Sequence, residues 1–133
     1  QRDTRFDFSR PVDGSDPAVR AVAPEGFLIG HSTDEPAVAR AAQGEGADYI
    51  GCGAVFPTST KKDAGEVIGV EGLASVVDSV QIPVVGIGGG GPEGAGAIAR
   101  ETGAAGVAVI GVVMGAEDVG RAVRALVAPF EGR

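Results

Sequence analysis

Tryptophan is absent from this chain, and cysteine, histidine and tyrosine each occur once. With Cys52 alone there is no internal disulfide and no thiolate cluster for zinc, so a reducing, cytoplasmic setting is expected. His31 alone leaves no histidine pair, and no nucleophile elbow or triad pattern occurs, which gives covalent hydrolase chemistry little support. Long apolar runs are lacking too. The longest, Ala104 to Met114, is broken by glycines and falls far short of the ~20 residues that span a bilayer. The first residues, Gln1-Arg2-Asp3-Thr4-Arg5-Phe6, contain no apolar signal core. No membrane partner is expected. Positive charge is also in deficit, with 11 Lys and Arg against 18 Asp and Glu and a formal charge of −7. A nucleic-acid backbone calls for the opposite sign, so any phosphate must be bound locally rather than by a basic face.

What the chain does have is glycine and small aliphatics. It holds 23 glycines in 133 residues, with 44% hydrophobic residues and 5% aromatics. That suits one domain whose Val, Ile, Ala and Leu side chains pack closely against backbone, as in parallel α/β folds. From Phe27 onward, short apolar runs alternate with helical patterns, the mark of βα units. The pattern predicts strands at Phe27–Gly30, Tyr49–Gly51, Val84–Ile87 and Gly106–Ile110. Helices are predicted at Glu35–Gln43, Glu71–Ser79, Pro92–Thr102 and Glu117–Ala128. Asp34 is placed to cap the first of these helices, and Gly46 and Gly103 are placed as helix-ending glycines. Residues 1–24 read as an irregular segment with one short helix, Asp16 to Val22, and residues 25–133 as the βα body. Four units fit either half of an eight-stranded barrel or a small doubly wound sheet. In both, the site lies where strand C-termini meet helix N-termini.

Three stretches at such ends suit an anion. Phe56-Pro57-Thr58-Ser59-Thr60-Lys61-Lys62 combines hydroxyls with ammonium groups after an apolar strand. Gly86-Ile87-Gly88-Gly89-Gly90-Gly91 follows a strand and opens a helix, where glycines admit close approach and the helix terminus offers N–H donors. It matches the dinucleotide fingerprint in form, but the next strand ends Ala108-Val109-Ile110-Gly111, without the acidic residue that a ribose needs. Val109-Ile110-Gly111-Val112 supplies further backbone donors beside it. His31-Ser32-Thr33-Asp34 ends the first strand, with the Ser32 and His31 side chains expected toward the site region. Asp3 and Asp13, in the irregular segment, are carboxylates that could help hold Mg²⁺ against a diphosphate.

From about Val19 to Leu126 the chain resembles thiamine-phosphate synthase, with the thiazole tautomerase branch as a neighbour. The likeness is carried by Gly30-His31-Ser32-Thr33, Gly46-Ala47-Asp48-Tyr49-Ile50-Gly51, Phe56-Pro57-Thr58-Ser59-Thr60-Lys61, Ile82-Pro83-Val84-Val85-Gly86-Ile87-Gly88-Gly89 and Gly106-Val107-Ala108-Val109-Ile110, in order. The resemblance implies a TIM barrel of (β/α) units, of which four are present here. It implies a transferase that joins hydroxymethylpyrimidine diphosphate to a thiazole phosphate with Mg²⁺, releasing diphosphate and forming thiamine phosphate. Lys61 and Ser32 would then face the pyrimidine diphosphate, and Thr58, Ser59, Thr60, Gly89, Ile110 and Gly111 would surround the thiazole phosphate. Asp3, or alternatively Asp13, would contact the metal.

The sequence departs from that family in three ways. It corresponds to the second half of the barrel, without the basic segment that grips the diphosphate. The Gln-x-Asp metal motif has two imperfect counterparts, Gln1-Arg2-Asp3 by residue type and Asp13 by spacing. Gly111 stands in place of a usual Ser, and Gly90 in place of an apolar residue. Because a half barrel leaves sheet edges and an inner face open, the chain is expected to pair with another copy or with a complementary half barrel, or to be a fragment of a longer protein. A non-catalytic module that binds a phosphate ligand, or a tautomerase-like protein, is the alternative function.

Overall fold

The computed structural model describes residues 16–57 and 66–132. Among them are α1 (Asp16–Val22), β1 (Gly30–Ser32), α2 (Pro36–Gly44), β2 (Tyr49–Gly53), α3 (Gly69–Ser79), β3 (Val84–Ile87), α4 (Gly91–Glu101), β4 (Gly106–Ala108), α5 (Gly111–Met114) and α6 (Val119–Val127), followed by a 3-10 turn at Ala128–Phe130. The strands form one sheet in sequential order β1-β2-β3-β4, every pair parallel. A strand, a crossover helix and a parallel neighbour, repeated without a change of direction, are (β/α) units of half a barrel.

Period-two alternation divides the sheet into two unlike faces. Ile50, Cys52 and Val84 point toward the helices and join Leu73, Val76, Ile98, Ala39 and Ala42 in the buried core. The other face carries Gly30 and Ser32 from β1, Tyr49, Gly51 and Gly53 from β2, Val85 and Ile87 from β3, and Gly106 and Ala108 from β4, aligned by the strand register. Tyr49 and Ile87 on this face remain 39% and 38% exposed. Among the described residues the helices cover one side, and Tyr49 and Ile87 leave the side that would line a barrel interior partly exposed.

The first strand enters the ladder later than the apolar pattern predicts, at Gly30 rather than Phe27. Side chains take up the backbone groups ahead of it. The Asp48 carboxylate accepts from Ile29 N at 2.7 Å, and Arg20 donates to the Phe27 carbonyl at 2.8 Å. Arg20 also donates to Gly46 O and to Asp48 Oδ2, at 2.8 and 2.7 Å, tying α1 onto the βα body.

Helix ends follow local chemistry. Gly46 has φ 102; Ala47 N donates to Ala42 O at 3.0 Å and Gly46 N to Gln43 O at 3.2 Å. This is the Schellman arrangement that the Gly-Ala pair predicts. Gly103 differs, because α4 closes on Thr102 in extended conformation and the Thr102 hydroxyl accepts from Ala104 N. Asp34 does not cap α2. Glu35 holds that position without a side-chain bond, and the Thr33 hydroxyl accepts from Glu35 N instead.

Candidate functional site

All four strands end at one rim, where the loops after β2 and β3 are laced together. Val55 N donates to Ile87 O at 2.9 Å and Phe56 N to Gly88 O at 3.3 Å, so the chain leaving β2 runs beside the chain leaving β3. It comes back at the same place, with Ile68 N on Ala54 O at 2.9 Å and Gly69 N on Val55 O at 3.1 Å. The Gly53–Ala54 peptide in this region is cis. Thr58, Ser59, Thr60 and Lys61 lie outside the described residues, as do Asp3 and Asp13.

The turn from β3 into α4 is built on left-handed backbone. Gly88, Gly89, Gly90 and Gly91 have φ of 92, 67, 83 and 51, values that a side chain disfavours. Crowding adds a second reason for glycine. A Cβ on Gly89 would sit 2.5 Å from the Pro57 carbonyl oxygen, and one on Gly90 2.5 Å from Cδ2 of the Phe56 ring. The run admits a neighbouring protein segment, whereas the sequence alone points only to an anion. Gly91 and Pro92 begin α4. Proline removes one of the N–H donors that a helix start otherwise presents.

Gly88 N donates to Ala108 O at 3.2 Å, which sets the ends of β3 and β4 side by side. β4 is shorter than the predicted Gly106–Ile110, because the chain turns at Ile110 (φ −122, ψ −67) into α5, whose first residue is Gly111. Ile110 is 57% exposed. Gly89, Ile110 and Gly111 therefore share the rim of two adjacent strands.

Ser32 reaches the same rim from β1. Its Oγ lies 3.7 Å from where a Cβ on Gly51 would be, and Ile87 Cδ1 lies 2.9 Å from that point. Ser32 and Ile87 thus meet over a side-chain-free position of β2 on the open face. His31 is adjacent in sequence but pairs with Ile50 in the register, which places it toward the helices. The two neighbours, expected to point the same way, lie on opposite faces of the sheet.

The described residues gather no group of three or more His, Cys, Asp or Glu that could hold a metal ion. The described residues therefore supply no protein-built metal cage. Cys52 lies on the helix side of β2 with none of its surface exposed. Burial, with a smaller contribution from the Asp34 charge, pushes its thiol up to about 11. It is a packing residue, far from thiolate chemistry at neutral pH.

The family model described as thiamine monophosphate synthase matches residues 12–113. The chain belongs to the thiamine monophosphate synthase family. It is 47% identical over 116 residues to the thiamine-phosphate synthase of Pyrococcus furiosus, covering 87% of this chain and 55% of that protein. To the Pyrococcus horikoshii enzyme of the same name it is 49% identical over 107 residues, covering 80% and 50%. A solved structure, the thiamine phosphate pyrophosphorylase of Pyrococcus furiosus, superimposes with a TM-score of 0.74 at 42% identity, over 87% of this chain and 54% of that one. The chain spans about half the length of the curated relatives it matches. The span matched to the thiamine monophosphate synthase family contains Ser32, the 58–61 segment, Gly89, Ile110, Gly111 and Asp13, and leaves Asp3 outside.

Phe56 was legible only as a lead-in to the polar loop. Its signal is the spacing of Gly90, which precedes α4, and Gly94 in its first turn, joined by a Gly94 N to Gly90 O bond of 2.7 Å, which leaves a bare patch for an aromatic ring.

Proposed function

We propose that this chain carries the phosphate-binding half of a thiamine-phosphate synthase site, a transferase that joins hydroxymethylpyrimidine diphosphate and a thiazole phosphate. The observation that carries this reading is the side-by-side placement of the Gly88–Gly91 turn and the Ile110–Gly111 turn at one rim, within the family-matched span. Gly89, Ile110 and Gly111 would offer backbone N–H groups to the thiazole phosphate, with Thr58, Ser59 and Thr60 adding hydroxyls. Lys61 and Ser32 would face the pyrimidine diphosphate.

The chemistry needs no protein nucleophile. The bond between the pyrimidine methylene carbon and the diphosphate oxygen breaks, its electron pair leaves with diphosphate, and a resonance-stabilised cation remains. The thiazole nitrogen lone pair then forms the new C–N bond. Charge growing on the departing oxygens makes a fixed ammonium the most effective aid, which assigns that role to Lys61. Mg²⁺ belongs to the same reading. Asp3 is the proposed contact, with Asp13, inside the matched span, as its competitor.

The open face and the edge strands β1 and β4 require a second wall around the substrates. Another copy or a complementary half barrel would supply it. A cytoplasmic location fits a biosynthetic reaction on free phosphate esters and a lone, buried thiol.

The test is formation of thiamine phosphate by this chain with Mg²⁺ and both substrates. Turnover that falls about 10²–10³-fold in Lys61→Ala, the usual loss when one charge-stabilising donor is removed, supports the enzyme. Binding of thiazole phosphate without turnover points instead to a non-catalytic phosphate-binding module. A tautomerase-like activity gains nothing from His31, which faces the helices.

A further inference from the structure

One aromatic ring joins the two loops that meet at the rim. The Phe56 side chain lies across the start of α4, over Gly90 and Gly94. A Cβ on Gly90 would stand 2.5 Å from ring Cδ2, and one on Gly94 2.8 Å from ring Cε2. Real side chains do not tolerate such approaches, so the ring and the two bare positions fit as a pair. The backbone is held at the same spot. Phe56 N donates to Gly88 O, and the Pro57 carbonyl lies over Gly89. The ring is half-buried and packs against the edge of the main core.

Building on the function proposed above, we infer that Phe56 is a positioning residue. Its ring, seated on the Gly90–Gly94 patch, fixes the direction of the Gly88–Gly91 backbone and thereby sets affinity for the thiazole phosphate without touching it. Simple core packing makes a different forecast: loss of the ring lowers stability, yet the molecules that stay folded bind as before. A left-handed run of four glycines has many backbone states open to it, and a rigid ring against it removes most of them. Preorganisation of this kind appears in affinity rather than in the melting curve alone.

The experiment compares wild type, Phe56→Ala, Phe56→Leu and Gly94→Ala by titration with thiazole phosphate, at a temperature where circular dichroism shows each fully folded. Phe56→Ala is expected to bind at least ~10-fold more weakly, and Phe56→Leu to recover most of that loss. Gly94→Ala keeps the ring but fills its seat. It should also weaken binding, although alanine is the better helix former. Binding by Phe56→Ala within about twofold of wild type overturns the positioning role and leaves the proposed function standing. If wild type itself fails to bind, the functional reading falls, and hydrogen exchange decides the positioning role independently. The amides of residues 55 and 56, bonded to Ile87 O and Gly88 O, should exchange at least ~10-fold faster in Phe56→Ala; unchanged protection overturns it.

Discussion

Arg20 Nη2 lies 2.7 Å from Asp48 Oδ2, at the end of β2 opposite the glycine turn, and the same carboxylate oxygen accepts from Ile29 N. The Ile29 amide first, and the Arg20 guanidinium second, hold the Asp48 carboxyl below its ordinary value of 3.8. A carboxyl lowered in the folded state stabilises the fold above the unfolded value, and that contribution disappears as pH falls through the folded one. Asp48→Asn should therefore melt a few degrees below wild type at pH 7. The gap should close on acidification below about 3.8, a comparison that calorimetry across pH makes directly.

Cys52 gives the opposite sign at the alkaline end. Its thiol is raised from 9.0 to about 11, so the unfolded chain ionises first and this group's contribution to stability declines as pH rises from about 9 to about 11. Cys52→Ser abolishes that slope. At pH 8 a chromogenic disulfide reagent should modify Cys52 only as fast as the protein opens, with denaturant releasing a rapid full equivalent.

Gly89 and Gly91 separate conformational strain from collision. Both have positive φ, but a Cβ on Gly91 meets open space, whereas one on Gly89 runs into the Pro57 carbonyl. Gly91→Ala should cost about 1–2 kcal/mol for left-handed backbone alone. Gly89→Ala should cost at least ~1 kcal/mol more, since a rigid carbonyl must move. Denaturant titration of both variants measures the difference.

The open sheet face makes a further expectation concrete. Tyr49 and Ile87 on the open face, and Phe27 and Leu28 ahead of β1 at 55% and 70% exposed, are apolar surface that association would cover. Sedimentation of this chain should give a dimer or a larger species. A well-folded monomer at micromolar concentration contradicts the expectation.

The repeating βα pattern was readable in the sequence because strand and helix periods are imposed by burial on the helix side, as Ile50, Cys52, Val84, Leu73 and Ile98 show. Element ends were less readable. β1 starts late because Asp48 and Arg20, remote in sequence, occupy its first backbone groups. α6 starts at Val119 because the Asp118 side chain accepts from Arg121 N, a capping signal present in the sequence beside the competing Glu117. The glycine run was correctly placed at a strand-to-helix turn, but a single sequence does not reveal that Phe56 and Pro57 occupy the space its bare positions leave. His31 and Ser32 look equivalent in a short motif, and only the register sends them to opposite faces.

The most direct test of the whole account is amide NMR of this chain during titration with thiazole phosphate. The account predicts shifts concentrated at Gly88, Gly89, Ile110 and Gly111, with Asp48, Gln81 and Ala105 at the far end of the sheet unmoved. Saturating ligand that leaves the rim amides unchanged, or shifts centred on the far end, would contradict it.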